Sequence, residues 1–255
     1  MLVEEIAAIL RSGKIANCRR EAGWIAAECP DAVSALDAAR RRAAGEPLQY
    51  VLGTAPFRDL MLDVDPRVLI PRPETEGMID WILPRIPAGG TALDLGTGSG
   101  AIALALARER PDVRVTAADR SSEALDAARH NAEKCGLADR VEFLQSDIFS
   151  ALSGRRFDLI AANLPYVTEA EYPQLAPEVR DYEPRSALVA PDDGLGLILR
   201  AVDGLSAHLN DPGAAIFELS PPQAPRAAAA LTAAGFRAGI VRDLCGRDRF
   251  ATGER

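Results

Sequence analysis

Thr91-Ala92-Leu93-Asp94-Leu95-Gly96-Thr97-Gly98-Ser99-Gly100, running straight into Ala101-Ile102-Ala103-Leu104-Ala105-Leu106-Ala107, decides how this 255-residue chain folds. Its opening is an apolar run of strand length, its middle a glycine loop, and its end has the composition of a helix. Pro111 marks where that helix must stop. A strand that passes through glycines into a helix leaves free N–H groups at the helix start. The glycines let a bound group approach the backbone closely.

The loop alone fits two kinds of cofactor, because Gly96-Thr97-Gly98-Ser99-Gly100-Ala101 also satisfies the looser dinucleotide fingerprint. The acids around it separate them. Val113 to Ala118 reads as a second strand ending at Asp119, placed to hold a pair of ribose hydroxyls. A third strand, Val141 to Gln145, leads to Ser146-Asp147-Ile148-Phe149; there the Asp147 carboxylate is expected to accept from an adenine amino group and Ile148 to lie against the ring. Asp94 would repel a pyrophosphate and suits a cationic cofactor. S-adenosylmethionine is therefore favoured over NAD. The expected cofactor-binding residues are Asp94, Gly96, Thr97, Gly98, Ser99, Gly100, Asp119, Asp147 and Ile148, with Asn163 at the far side.

Asn163 opens the tetrapeptide Asn163-Leu164-Pro165-Tyr166, directly after the strand-like run Phe157 to Ala162. An Asn side-chain oxygen and the Leu164 carbonyl are two acceptors, Pro165 stiffens the backbone, and Tyr166 adds a flat apolar wall. Such a corner suits a planar NH2 group, and these four residues are the expected catalytic set. An ordinary strand-ending turn is the competing reading, since Asn and Pro are turn residues.

Composition suits an enzyme with one large and one small domain: 48% hydrophobic and 26% charged residues, with nothing that suggests disorder. A net charge of −8 argues against a nucleic-acid backbone as the main partner. Arg40-Arg41-Arg42, the one compact basic run, reads as the solvated end of a helix. The four cysteines have no metal-like spacing, so reduced thiols and no metal site are expected. The start of the chain lacks the basic and apolar regions of a signal peptide, and no apolar run nears the ~20 residues of a membrane span. A cytoplasmic monomer with no membrane association is the expectation.

Residues 1–45 show helical spacing (Ile6, Ile9, Leu10; Trp24, Ile25; Val33, Leu36) broken at Gly13 and Pro30, a small helical domain expected to dock the substrate. Residues 46–72 read as a β-hairpin connector, with strands at Tyr50 to Thr54 and Phe57 to Val64. Residues 73–255 alternate strand and helix patterns, which predicts an α/β domain with a mostly parallel seven-stranded sheet. Its last strands, Gly213 to Leu219, Gly239 to Leu244 and Arg249 to Gly253, end in an antiparallel edge. Asn210-Asp211-Pro212-Gly213 is expected to turn between His208 and that region, and neither His130 nor His208 is assigned chemistry.

Leu48-Gln49-Tyr50-Val51-Leu52-Gly53, Leu69-Ile70-Pro71-Arg72-Pro73-Glu74-Thr75-Glu76, Asp94 to Gly100, Asn163 to Tyr166 and Tyr182-Glu183-Pro184-Arg185-Ser186-Ala187-Leu188 together resemble the protein-(glutamine-N5) methyltransferases that modify peptide chain release factors. The resemblance spans nearly the whole chain. Glycine loop and corner are shared with many class I (Rossmann-like) methyltransferases, including adenine-N6 enzymes; the Pro71 to Glu76 segment is the sharper mark. The resemblance implies S-adenosylmethionine as cofactor, a release factor as protein partner, and the glutamine of its Gly-Gly-Gln loop as acceptor. The family usually carries Pro where this chain has Leu164, which keeps the backbone acceptor and gives up some rigidity. Phe217-Glu218-Leu219-Ser220 also departs from the family's glycine-containing version. Two other readings use the same residues: an adenine-N6 nucleic-acid methyltransferase, and a cofactor-binding module that docks a translation factor without chemistry.

Overall fold

The structure is a computed structural model that describes residues 1–255. It opens with three helices, α1 (Leu2–Ser12), α2 (Cys18–Glu28) and α3 (Ala32–Ala43), whose apolar stripes meet at Ile6, Leu10, Ile25 and the small Ala35, Ala38 and Ala39. Asp31 caps α3 by accepting from the Ser34 N–H at 2.8 Å. A fourth helix, α4 (Leu48–Leu52), adds Val51 to the same core.

The hairpin is shorter than its pattern suggested. Tyr50 to Leu52 are helical, and the paired strands are β1 (Thr54–Phe57) and β2 (Leu60–Asp63). Helical geometry turns the two neighbours to different sides: Val51 enters the helical core, whereas the Tyr50 hydroxyl donates to the Val68 carbonyl at 2.6 Å.

The basic run also differs from expectation. Consecutive helical residues point ~100° apart, so three arginines cannot share one solvated face. Arg42 is only 8% exposed, and its guanidinium donates to Glu21 of α2 at 2.7 Å and to Glu178 at 2.8 Å. Glu178 lies 136 positions along the chain, so this arginine fastens the helical bundle to the larger domain.

After a turn at Pro73–Thr75, the larger domain runs α5 (Glu76–Ile82), β3 (Thr91–Leu95), α6 (Ala101–Glu109), β4 (Arg114–Asp119), α7 (Ser122–Lys134), β5 (Val141–Gln145), β6 (Phe157–Ala162), α8 (Pro177–Arg180), α9 (Arg185–Leu188), α10 (Gly196–His208), β7 (Leu209–Glu218), α11 (Ala224–Ala233), β8 (Arg237–Arg242) and β9 (Asp248–Glu254). The sheet order is β5-β4-β3-β6-β7-β9-β8. Pairing is parallel from β5 to β7, while β9 runs antiparallel to both β7 and β8, the edge expected from the sequence.

Both faces are covered, which is why these strands read as unbroken apolar runs. In β6, Leu159 and Ala161 pack with α5 and α6, whereas Ile160 and Ala162 pack with α10 and α11. Residues Asn210 to Gly213 lie within the range of β7 but bulge out of its pairing, as the turn composition predicts: Leu209 pairs with Phe157 and Ala214 with Leu159, and the four residues between them have no partner on β6. Asn210 Nδ2 donates to Asp158 Oδ1 at 2.7 Å and holds the segment against β6. No helix is long and apolar enough to cross a membrane.

β3 lies between β4 and β6, so the chain leaves it toward one side of the sheet and returns on the other. Such a switch point opens a crevice at the carboxyl ends of the strands.

Candidate active site

In that crevice the glycine loop is pinned to β4, because the Gly96 and Thr97 N–H groups both donate to the Ala118 carbonyl, at 2.8 and 3.1 Å. Gly96 has φ +74°, and a Cβ there would stand 2.9 Å from Leu164 Cδ2. The backbone angle and the close approach both call for glycine. Leu164 is therefore built into the floor of the site; its side chain is buried in the core shared with α10 and α11. The buried Asn131 of α7 clamps the other end of the loop, donating to the Ser99 and Asp63 carbonyls at 2.9 Å each.

Asp94 lies beneath the loop. Its Oδ2 accepts from Thr97 Oγ1 at 2.7 Å and from the Ala103 N–H at 3.1 Å, while Oδ1 is buried without a partner. Burial pushes this carboxyl up to about 7; the Thr97 and Ala103 donors pull it down, and nearby Asp119 adds to the rise. The folded chain thus holds the proton to a higher pH than the unfolded one, so Asp94 contributes stability at low pH that is lost as pH rises from about 4 to about 7. Urea unfolding of Asp94→Asn between pH 5 and 7.5 should lose less stability than the wild type. Equal losses would place the proton elsewhere.

Asp119 turns both oxygens to the backbone, accepting from the Gly98 N–H at 3.0 Å and the Ser121 N–H at 2.9 Å. Asp147 stands exposed at the rim and takes a bond from Arg200 at 2.8 Å. Ile148 adopts φ +51°, a left-handed conformation that Ser146 supports by donating from its hydroxyl to the Ile148 carbonyl at 2.8 Å.

Gly96 to Ser99, Asp119, Asp147, Ile148, Asn163, Leu164 and Pro165 line one cleft. Asp94, Gly100 and Tyr166 stand outside its lining. At the corner, Asn163 Nδ2 donates to Thr75 Oγ1 at 3.3 Å, and the Thr75 hydroxyl donates to Glu218 Oε2 at 2.7 Å. Neither Asn163 Oδ1 nor the Leu164 carbonyl takes a hydrogen bond from the chain. Tyr166 is held from behind: its carbonyl accepts from Gln223 Nε2 at 2.9 Å, and burial pushes its phenol up to about 12, so it stays protonated. Gly194 backs the same carbonyl, at φ +84° and so close that a Cβ would lie 2.3 Å from the Tyr166 oxygen.

Two other segments close the site. Arg72, from the Pro71 to Glu76 segment, pairs with Glu183, whose second oxygen accepts from the Ile70 N–H at 3.2 Å. Glu183 is buried, which raises its carboxyl, and Arg72 works against the rise. Thr75, Glu218 and Asn131 had no place in the sequence reading of the site. An acid ending the apolar Ala214 to Phe217 run was the one visible signal for Glu218.

Residues 77–178 match the Methyltransferase small domain family. A release factor glutamine methyltransferase from Rhodopirellula baltica is 42% identical over 222 residues, covering 82% of this chain and 74% of that protein. The chain belongs to the release factor glutamine methyltransferase family. Another member, from Deinococcus radiodurans, is 39% identical over 100% of this chain and 89% of its own length. A methyltransferase from Pyrococcus furiosus shares the fold, with a TM-score of 0.59 at 19% identity over 77% of this chain and 89% of that one. As a release factor glutamine methyltransferase, the protein uses S-adenosylmethionine as its methyl donor. The donor set fits a cationic adenosyl cofactor: two carboxylates line the cleft, Asp119 at the end of β4 and Asp147 just beyond β5, beside a glycine cradle next to Leu164.

Proposed function

We propose that the chain methylates the side-chain nitrogen of the glutamine in the Gly-Gly-Gln loop of a peptide chain release factor. The observation that carries this reading is the pair of acceptors at the corner, Asn163 Oδ1 and the Leu164 carbonyl, both unclaimed by the chain and both from residues that line the cofactor cleft.

S-adenosylmethionine supplies an electrophilic methyl group on a sulfonium. The backbone of Gly96 to Gly100 cradles the cofactor, with Asp94 bracing the loop from below. Asp119 holds the ribose hydroxyls with the lone pairs that Gly98 and Ser121 leave free. Asp147 takes the adenine amino group, and Ile148 lies on the ring.

A glutamine nitrogen is a poor nucleophile because its lone pair is delocalised into the carbonyl. Neither histidine stands at the corner to assist: His130 pairs with Asp63 at the surface, and His208 stacks on Phe149. Positioning carries the catalysis. Asn163 Oδ1 and the Leu164 carbonyl take one N–H bond each, aim the nitrogen at the methyl carbon, and stabilise the positive charge that grows as it attacks. Tyr166 packs beside the side chain. The departing proton passes to these acceptors or to water, with no dedicated general base.

The helical bundle docks the release factor, and the protein works as a cytoplasmic monomer. Its net charge of −8 supports a protein partner over a nucleic-acid backbone. Transfer of labelled methyl to a purified release factor, and to the same factor with its loop glutamine changed to alanine, tests the proposal. Label on the first alone is expected; label on both, or on adenine in added RNA or DNA instead, overturns it.

A further inference from the structure

The corner depends on which end of the Asn163 amide faces the cleft, and two buried residues outside the catalytic tetrapeptide bear on that choice. Thr75 is 3% exposed and Glu218 1% exposed. They come from segments 143 positions apart, Thr75 from the turn that enters α5 and Glu218 from the last position of β7. A threonine hydroxyl has one proton. With that proton committed to Glu218 Oε2, only a lone pair of Thr75 Oγ1 is left to meet Asn163, and it matches the Nδ2 end of the amide. A flipped amide would set Oδ1 against the oxygen and leave a nearly buried pair of acceptors without a proton between them.

We propose that Glu218, acting through Thr75, is a positioning residue that keeps Asn163 Oδ1 turned toward the substrate nitrogen. This rests on the reading of Asn163 as the acceptor for that nitrogen. It also gives a role to two sequence features, the threonine of Pro71 to Glu76, which lines the cleft, and the acid of Phe217 to Ser220 behind it.

The chain of donors runs in this direction only while Glu218 is ionised. A protonated Glu218 donates to Thr75 Oγ1, the Thr75 proton turns to Asn163, and the amide reverses. The charged groups facing Glu218 are Arg249, Arg72 and Glu74, with the Tyr166 phenol on the corner side. Arg249 and Arg72 favour the carboxylate; burial, with Glu74 adding to it, outweighs them and pushes the carboxyl up to about 7. The active form is therefore gained as pH rises through that value.

Thr75→Val, which keeps the shape and removes the hydroxyl, should lower kcat for release-factor methylation at least 10-fold, with a much smaller change in S-adenosylhomocysteine affinity and little change in Tm. Thr75→Ser should restore most of the rate. The kcat of the wild type should rise with pH around 7, and Glu218→Gln, whose amide serves as donor or acceptor at any pH, should lack that limb. Thr75→Val at the wild-type rate, Thr75→Ser as slow as Thr75→Val, or an unaltered limb in Glu218→Gln overturns the proposal. Should Thr75→Val fail to fold, the two pH profiles decide alone. Failure of the substrate assignment itself would look different, because the wild type would then leave the release factor unmethylated.

Discussion

Asn163→Ala should slow methyl transfer by roughly 10- to 150-fold in kcat, the equivalent of about 1.5–3 kcal/mol for one hydrogen bond to a developing charge. Cofactor affinity should move far less, because Gly96 to Ser99, Asp119, Asp147 and Ile148 remain in place around the cleft. The loss belongs in kcat rather than KM, since the oxygen acts most strongly once positive charge has grown on the substrate nitrogen. The Leu164 carbonyl is a backbone group and survives the change, so activity falls without vanishing. Single-turnover rates and cofactor titrations on the same preparation separate the two parameters. A variant with full activity would remove Asn163 from the mechanism.

The second large effect is on stability. Arg42→Ala should cost about 3–5 kcal/mol in unfolding free energy, because it leaves Glu21 as an uncompensated charge inside the helical bundle. Glu21 is itself only 8% exposed, and Arg42 supplies both of its side-chain hydrogen bonds, at 2.7 and 3.3 Å. The same arginine reaches Glu178, so the bundle should also lose one of its ties to the larger domain. If the bundle docks the release factor, KM for that substrate rises while cofactor affinity is kept. Urea unfolding of Arg42→Ala, and of the double variant with Glu21→Gln, measures this; the double variant should recover part of the loss. A single variant as stable as the wild type would mean that water reaches Glu21 and the pair contributes little.

The sequence and the structure agree most closely where a local pattern has a single physical solution. The run Thr91 to Ala107 could be little other than strand, glycine loop and helix. The antiparallel edge was legible because two short apolar runs close the chain near one another. Differences arise where long-range partners override the local pattern. Tyr50 and Val51 look like strand residues and become helical because each finds a different core to enter. Arg42 is read as solvated in a run of three arginines, yet its partners Glu21 and Glu178 lie in two distant segments. The candidate site divides in the same way. Asp119, Asp147 and the corner could be located as acids and a tetrapeptide at strand ends. That Thr75 and Glu218 meet behind Asn163 follows only from β7 lying beside β6, a pairing no local pattern announces.

The central claim is that the corner presents a protein glutamine nitrogen to the methyl donor. Tandem mass spectrometry of a purified release factor, incubated with this protein and S-adenosylmethionine, tests it most directly. The account predicts a gain of one methyl group on the side-chain nitrogen of the Gly-Gly-Gln glutamine and nowhere else. A methyl group on any other residue, or an unmodified factor after incubation with protein shown to bind the cofactor, would contradict it.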